Sequence, residues 1–309
     1  MKTAKTSILI LIVALTATIP SFGADNPKNA TVEKLYPNLA AGVLTYAKVE
    51  PLPEGILLKS EGMEISLSDI EKFISNQPQQ LRAELQNNAF FVLEQEATGK
   101  LLKKIAVEEL TKKGQDVNAM VDNELMQVFL KELTKDIKVT DKDVETFYKE
   151  NESVFCGTPL KNVRKQIESY VLQDKQQRFV DHYIQTLGQK IVIAVSDSWT
   201  KEKAITANDN SLAKARNDCK PTLAIFSAAS CCGPDKMIPV KEALQKKYDS
   251  KISIVYIEPN KEQILAARYG IRSIPSQIIF DSKGKEQFRH NGFLSEVDIT
   301  ARLSELGVK

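Results

Sequence analysis

The chain has 309 residues, 42% of them hydrophobic and 27% charged, with a formal net charge of +2. That length leaves room for two ordinary domains, and that mixture is globular, not disordered or fibrous. The near-neutral balance leaves no electrostatic footprint for nucleic acid or an acidic membrane surface.

Lys2 and Lys5 precede an apolar run over residues 8–19, followed by Pro20, Ser21, Phe22, Gly23 and Ala24. A basic start, a short apolar core and small residues after it predict a secretory signal peptide over 1–23. The run is too short to span a bilayer comfortably, so no stable transmembrane segment is expected after cleavage. Export to the periplasm, or an equivalent exported location, follows as the expectation. It would place Cys156, Cys219, Cys231 and Cys232 where disulfides can persist.

Residues 24–195 read mainly as helix. Short strands are expected at 56–58 and 63–65, and Ser68 with Glu71 has the spacing of a capping box. Phe90, Leu93, Ala97, Leu101 and Ile105 share one helical face, as do Val121, Leu125, Phe129 and Leu133. Thr140 with Asp143 opens a short helix. A long helix over 161–187 carries Ile167, Val171, Phe179, Tyr183 and Leu187, with a wholly polar middle at 173–178. Most of these apolar positions read as core. A strand at 191–195 precedes a polar stretch, 196–209, expected to be a linker although it holds the only tryptophan, Trp199.

From 210 to 309 the pattern alternates between strand and helix. Strands are predicted at 222–226, 252–257, 277–280 and 286–289, and helices at 234–247, 262–269 and 294–306. This order implies a central mixed sheet covered by helices. The first strand runs into Ser227-Ala228-Ala229-Ser230-Cys231-Cys232-Gly233-Pro234 and then a helix. A cysteine at a strand-to-helix turn sits near unpaired backbone N–H groups and the positive end of the helix dipole. Both favour the thiolate, the species that attacks disulfides. Cys231 and Cys232 are therefore the candidate nucleophiles. The chain's two histidines, His182 and His290, are not at ligand spacing from them, so neither a metal nor an organic cofactor is expected.

This corner, with Tyr269-Gly270-Ile271-Arg272-Ser273-Ile274-Pro275 downstream, resembles thioredoxin. The resemblance implies that Pro275 is the cis-proline facing the reactive cysteine. It also implies that Ile274, Pro275, Gly233 and Pro234 contact substrate. Gly292 matches the family's glycine after the last strand.

Two registers are possible. Without a gap, Phe226, Ala228 and Pro239 match, Cys231 is the attacking thiol and Pro234 replaces the resolving one. With a one-residue shift, Cys232-Gly233-Pro234 matches and Asp235 replaces it. Either way the second thiol of Cys-x-x-Cys is lost, and the family's buried carboxylate on the preceding strand becomes Ile225 or Phe226. A monothiol that forms and breaks mixed disulfides is the simplest chemistry left to this degenerate Cys-Cys-Gly-Pro-Asp motif. A vicinal disulfide would be strained. Cys219 precedes the first strand, whose length separates it from the corner, so it does not resolve such an adduct without rearrangement; a Cys156–Cys219 bridge is also compatible with the sequence.

Residues 56–194 resemble the chaperone part of SurA-type periplasmic peptidyl-prolyl isomerases. The resemblance rests on the short strand pair, Ser66-Leu67-Ser68-Asp69-Ile70, Thr140 to Asn151, the long helix and the closing strand. Only residues 152–160 stand where that family often carries its parvulin domain. This is too short for a folded isomerase, so isomerase activity is not implied. The resemblance implies an apolar cradle for unfolded exported chains.

The expected partners are unfolded or disulfide-containing clients and a redox partner protein. The alternative is a non-enzymatic holdase or scaffold whose thioredoxin fold is redox-inactive.

Overall fold

The computed structural model describes residues 30–155, 157–229 and 235–308. The predicted signal peptide, Cys156 and the corner 230–234 lie outside the described residues.

The N-terminal part starts with α1 (Val32–Leu35), β1 (Lys48–Glu50), β2 (Ile56–Ser60) and β3 (Met63–Ser66). Helices α2 (Leu67–Ser75), α3 (Gln79–Asn87), α4 (Ala89–Lys112), α5 (Asp122–Leu133), α6 (Asp141–Glu150) and α7 (Leu160–Lys190) follow. It closes with β4 (Ile193–Ser196) and α8 (Asp197–Ala207). The sheet order is β1-β4-β2-β3. Strand β4 runs parallel to β1 and antiparallel to β2, so the long helical excursion returns to the strands where the described chain begins.

Local chemistry sets the helix starts. Thr140 and Asp143 form the expected capping box of α6. The box that starts α2 is formed by Ser66 and Asp69, two residues earlier than Ser68 and Glu71. The apolar face of α4 buries Phe90, Leu93 and Ala97 in the core that holds Leu58, Ile65 and Val195. Its later turns, through Ala106 and Leu110, pack on Leu125 and Phe129 of α5.

Residues 197–207 form helix α8, where the sequence suggested a polar linker. Trp199 is buried on it and tilts against Phe90 with ring centroids 6.2 Å apart. Ala204 and Ala207 join the same core, while the outward-facing Asp197, Lys201 and Glu202 give the stretch its linker-like composition.

The C-terminal part contains α9 (Ser211–Arg216), β5 (Thr222–Phe226), α10 (Met237–Tyr248), β6 (Ser253–Ile257), α11 (Gln263–Arg268), β7 (Ser276–Phe280), β8 (Glu286–Asn291) and α12 (Glu296–Glu305). The sheet order is β6-β5-β7-β8, parallel between β5 and β6 and antiparallel elsewhere. Strand β5 is buried on both faces, and successive side chains point to opposite sides. Leu223 and Ile225 meet α10 and α12 through Leu244, Ile299 and Leu303. Ala224 and Phe226 face Leu212, Leu265 and Ala266 on the other side. The fold is thus a mainly helical part joined to a mixed sheet with helices on both faces, as the periodicities predict.

The two parts are in direct contact. The Ile264 N–H donates to Glu84 Oε1 at 2.9 Å. Arg268 donates to Asn88 Oδ1 at 3.0 Å and to the Ala207 carbonyl at 2.6 Å. Arg272 makes a two-pronged pair with Asp181 on α7, at 2.8 and 3.0 Å.

Close approach explains one buried glycine. A Cβ on Gly188 of α7 would lie 2.6 Å from the Val43 carbonyl oxygen, so the helix reaches the preceding loop only without a side chain. We expect Gly188→Ala to destabilise the protein by about 1–3 kcal/mol despite its better helix propensity. A shift in urea midpoint at unchanged slope would measure this; an unchanged or raised midpoint would contradict the packing argument.

Candidate functional site

The corner is bracketed by residues the structure describes. Strand β5 ends at Phe226, and Ser227 continues its pairing by donating its N–H to the Ile257 carbonyl at 3.1 Å. On the far side, Asp235 leads into α10. Its carboxylate is buried, with 8% of the residue exposed. Oδ1 accepts from Ser227 Oγ at 2.9 Å and from the Met237 N–H at 2.8 Å. Oδ2 accepts from the Tyr256 hydroxyl on β6. One side chain therefore ties together the two ends of the corner and the neighbouring strand. Burial raises the Tyr256 pKa, and the hydrogen bond and charge of Asp235 raise it further, so its hydroxyl remains a donor.

This hub was not recognised as a site from sequence. Its short-range signal is an Asp two residues before a helical N–H, the arrangement in which aspartate bonds its own backbone at turns and helix starts. Ser227 and Tyr256 carried no comparable signal, because strand pairing brings them in. Ile225 and Phe226 are fully buried and apolar. The buried carboxylate beside this strand is Asp235, on the helix side of the corner.

The second element of the site is the loop before β7. The Ile274–Pro275 peptide bond is cis, and Ile274 is 40% exposed. Ser276 Oγ donates to the Ser273 carbonyl at 2.6 Å and lies 3.0 Å from Asn291 Oδ1. The Gly292 N–H donates to the Pro275 carbonyl at 2.7 Å, tying the loop to the end of β8. Gln277, fully buried, donates to the Gly292 carbonyl at 3.1 Å. Gly292 has φ of +118°, and a Cβ there would lie 2.4 Å from Asn151 Oδ1 just beyond α6. The glycine therefore permits both the backbone turn and the close seating of the helical part on this loop.

Of the residues singled out from sequence, Ile274 and Pro275 are placed in this loop. Cys231, Cys232, Gly233 and Pro234 lie outside the described residues. Cys219 is a free, exposed thiol just before β5. No helix among the described residues is long and apolar enough to cross a membrane.

Residues 208–307 match the family model of the thioredoxin-like domain. A thioredoxin of Porphyra purpurea is 43% identical over 67 residues, 21% of this chain and 62% of that protein. A thioredoxin of Borreliella burgdorferi is 36% identical over 69 residues, 22% of this chain and 58% of that one. Human protein disulfide-isomerase A6 is 28% identical over 116 residues, 36% of this chain and 26% of that protein. The chain thus spans about three-fifths or less of these relatives' lengths. A solved thioredoxin variant from Halobacterium salinarum aligns over 31% of this chain and 81% of its own, at 23% identity and a TM-score of 0.27. The sheet and the family match agree that the C-terminal part of this chain, residues 208–307, is a thioredoxin-like domain.

Proposed function

We propose that this is an exported, periplasmic protein whose thioredoxin-like domain exchanges mixed disulfides with client proteins held by the helical part. The observation that carries the reading is Asp235. In the register that matches Cys232-Gly233-Pro234, it stands where the resolving thiol would be, and its three hydrogen bonds fix it there as a carboxylate side chain. That leaves one attacking thiol, Cys232 in this register and Cys231 in the ungapped one. Its thiolate attacks a client disulfide, forming a protein–client disulfide and releasing the other client sulfur as a thiolate. A second thiol, from the client or from glutathione, attacks that adduct, frees the corner cysteine and forms the new disulfide. The thioredoxin and protein disulfide-isomerase relatives support the chemical class, and the resemblance to SurA-type chaperones supports client holding.

The test is adduct trapping. The mature chain is mixed with a disulfide-bonded client, quenched in acid and run on a non-reducing gel. An adduct should form with the native chain and vanish when the attacking cysteine is replaced, in either Cys231→Ala or Cys232→Ala. Adducts that persist in the double variant would remove these cysteines from the chemistry. If the native chain forms no adduct but still suppresses aggregation of a reduced client, the protein is a holdase.

A further inference from the structure

Helix α6, the turn after it and the first half of α7 face the cis-proline loop across a cavity of about 350 Å³. Phe147, Phe155 and Tyr170 form one wall, and Ile274 and Gly292 form the opposite one. The aromatic wall is built from packed rings: Phe147 lies 4.9 Å from Tyr170 and meets Phe155 edge-on at 6.3 Å, centroid to centroid. Every described residue lining the cavity is uncharged. A neutral, largely apolar lining of this size favours one large apolar side chain and disfavours a carboxylate or ammonium, which would lose hydration without gaining a partner.

The rim carries a second feature. Among the described residues, nothing hydrogen-bonds the backbone N–H or C=O of Ile274, whose side chain is partly exposed. A backbone donor and acceptor that no described residue pairs, beside an apolar pocket, match an extended polypeptide, which pairs its main chain at the rim and lowers one side chain into the pocket. A compact apolar molecule would fill the pocket but leave the rim unpaired.

We infer that the helical part completes a client site on the thioredoxin-like domain: its aromatic wall takes a phenylalanine-like or branched aliphatic side chain of an extended client segment lying along Ile274. The inference rests on the client-binding reading above and adds a substrate preference to it. The helical part then selects which stretch of a client is presented beside the corner. The lining is shared between both parts, so neither alone forms the pocket.

Binding of cysteine-free peptides to the mature full chain tests this without requiring thiol chemistry. The probes are two fluorescein-labelled nonapeptides of glycine, serine and threonine, one with a central phenylalanine and the other with a central aspartate. Fluorescence anisotropy should show the phenylalanine peptide binding about tenfold tighter or more. Gln166 is exposed at the cavity's edge, so Gln166→Trp should block the pocket without disturbing the core and erase that preference. Ile274→Asp should erase it from the other wall. Thermal unfolding of both variants identifies either one that fails to fold, leaving the remaining one to decide. Equal affinity for the two peptides, or a preference that survives in a folded variant, would overturn the inference. Preference without adduct trapping would leave the pocket standing and remove the redox reading; trapping without preference would do the reverse.

Discussion

Asp235→Cys is expected to supply, from within the chain, the second thiol that resolves a mixed disulfide. The variant would read Cys232-Gly233-Pro234-Cys, with a second sulfur just before the N-cap of α10. An intramolecular thiol resolves a mixed disulfide far faster than a dilute external one, because linking raises its effective concentration to about the millimolar range or above. Reduction of insulin by dithiothreitol should therefore accelerate about tenfold or more over the native chain. Trapped adducts should become correspondingly short-lived.

The same change has a structural cost. Ser227 Oγ, the Met237 N–H and the Tyr256 hydroxyl all lose their acceptor. Each buried donor left unpaired costs about 1–3 kcal/mol, so the melting temperature should fall by several degrees. Adding Tyr256→Phe should recover part of that loss by removing one orphan. If the folded variant reduces insulin no faster than the native chain, the corner does not present its cysteines in dithiol register. The one-residue shift that places Asp235 at the second thiol would then be the wrong one.

The largest loss of stability is expected from Glu94→Ala. Glu94 sits on α4, and only 4% of it is exposed. Its carboxylate accepts from the backbone N–H groups of Ala41, Gly42 and Leu44 at 3.0, 2.8 and 3.1 Å. One side chain thus satisfies a loop with little ladder pairing of its own. Truncation would orphan the buried Leu44 N–H and the part-buried N–H groups of Ala41 and Gly42 and open a void, at a cost of about 3–5 kcal/mol. Against a typical total of about 5–15 kcal/mol, a large share of the native stability would disappear.

Burial raises the Glu94 pKa, against the lowering pull of those three N–H groups and of Arg268. A carboxyl with a raised folded-state pKa contributes stability that is complete below its unfolded value. That contribution is lost as pH rises through the folded value. Relative to Glu94→Gln, the native chain should therefore lose urea resistance on going upward from the ordinary glutamate range. Melts of both proteins at pH 4, 5.5 and 7 would check this, since 4.5 is the ordinary value. Parallel curves would show that the carboxyl titrates alike in the folded and unfolded chains.

Local chemistry was readable and distant pairing was not. The alternation in Thr222–Phe226 and the Thr140–Asp143 box act within a few residues and were legible. The pairing of Lys48 with Ala194 joins segments separated by the whole helical excursion, and no local pattern encodes it. Helix α8 was hidden by its polar face, since Trp199, Ala204 and Ala207 are its principal buried apolar contacts. Arg268 and Arg272 have the composition of solvated surface, yet one reaches Asn88 and the other Asp181 in the helical part. The thioredoxin-like corner was legible as a motif. Its carboxylate hub was not, because two of its three donors, Ser227 and Tyr256, belong to strands that meet Asp235 only after folding.

Arg268 also bears on how such a chain can be inherited. A cassette that moves between genes must meet its new neighbours through water, so that any host will serve. Arg268 instead rests on acceptors provided by Asn88 and Ala207, and Ile264 packs into the core around α4. Cut at residue 208, the C-terminal fragment would expose Arg268 without its acceptors and Ile264 without its apolar contacts. The thioredoxin-like segment is therefore fitted to this host, and a graft into another protein would have to carry α3 and α8 along or redesign both residues.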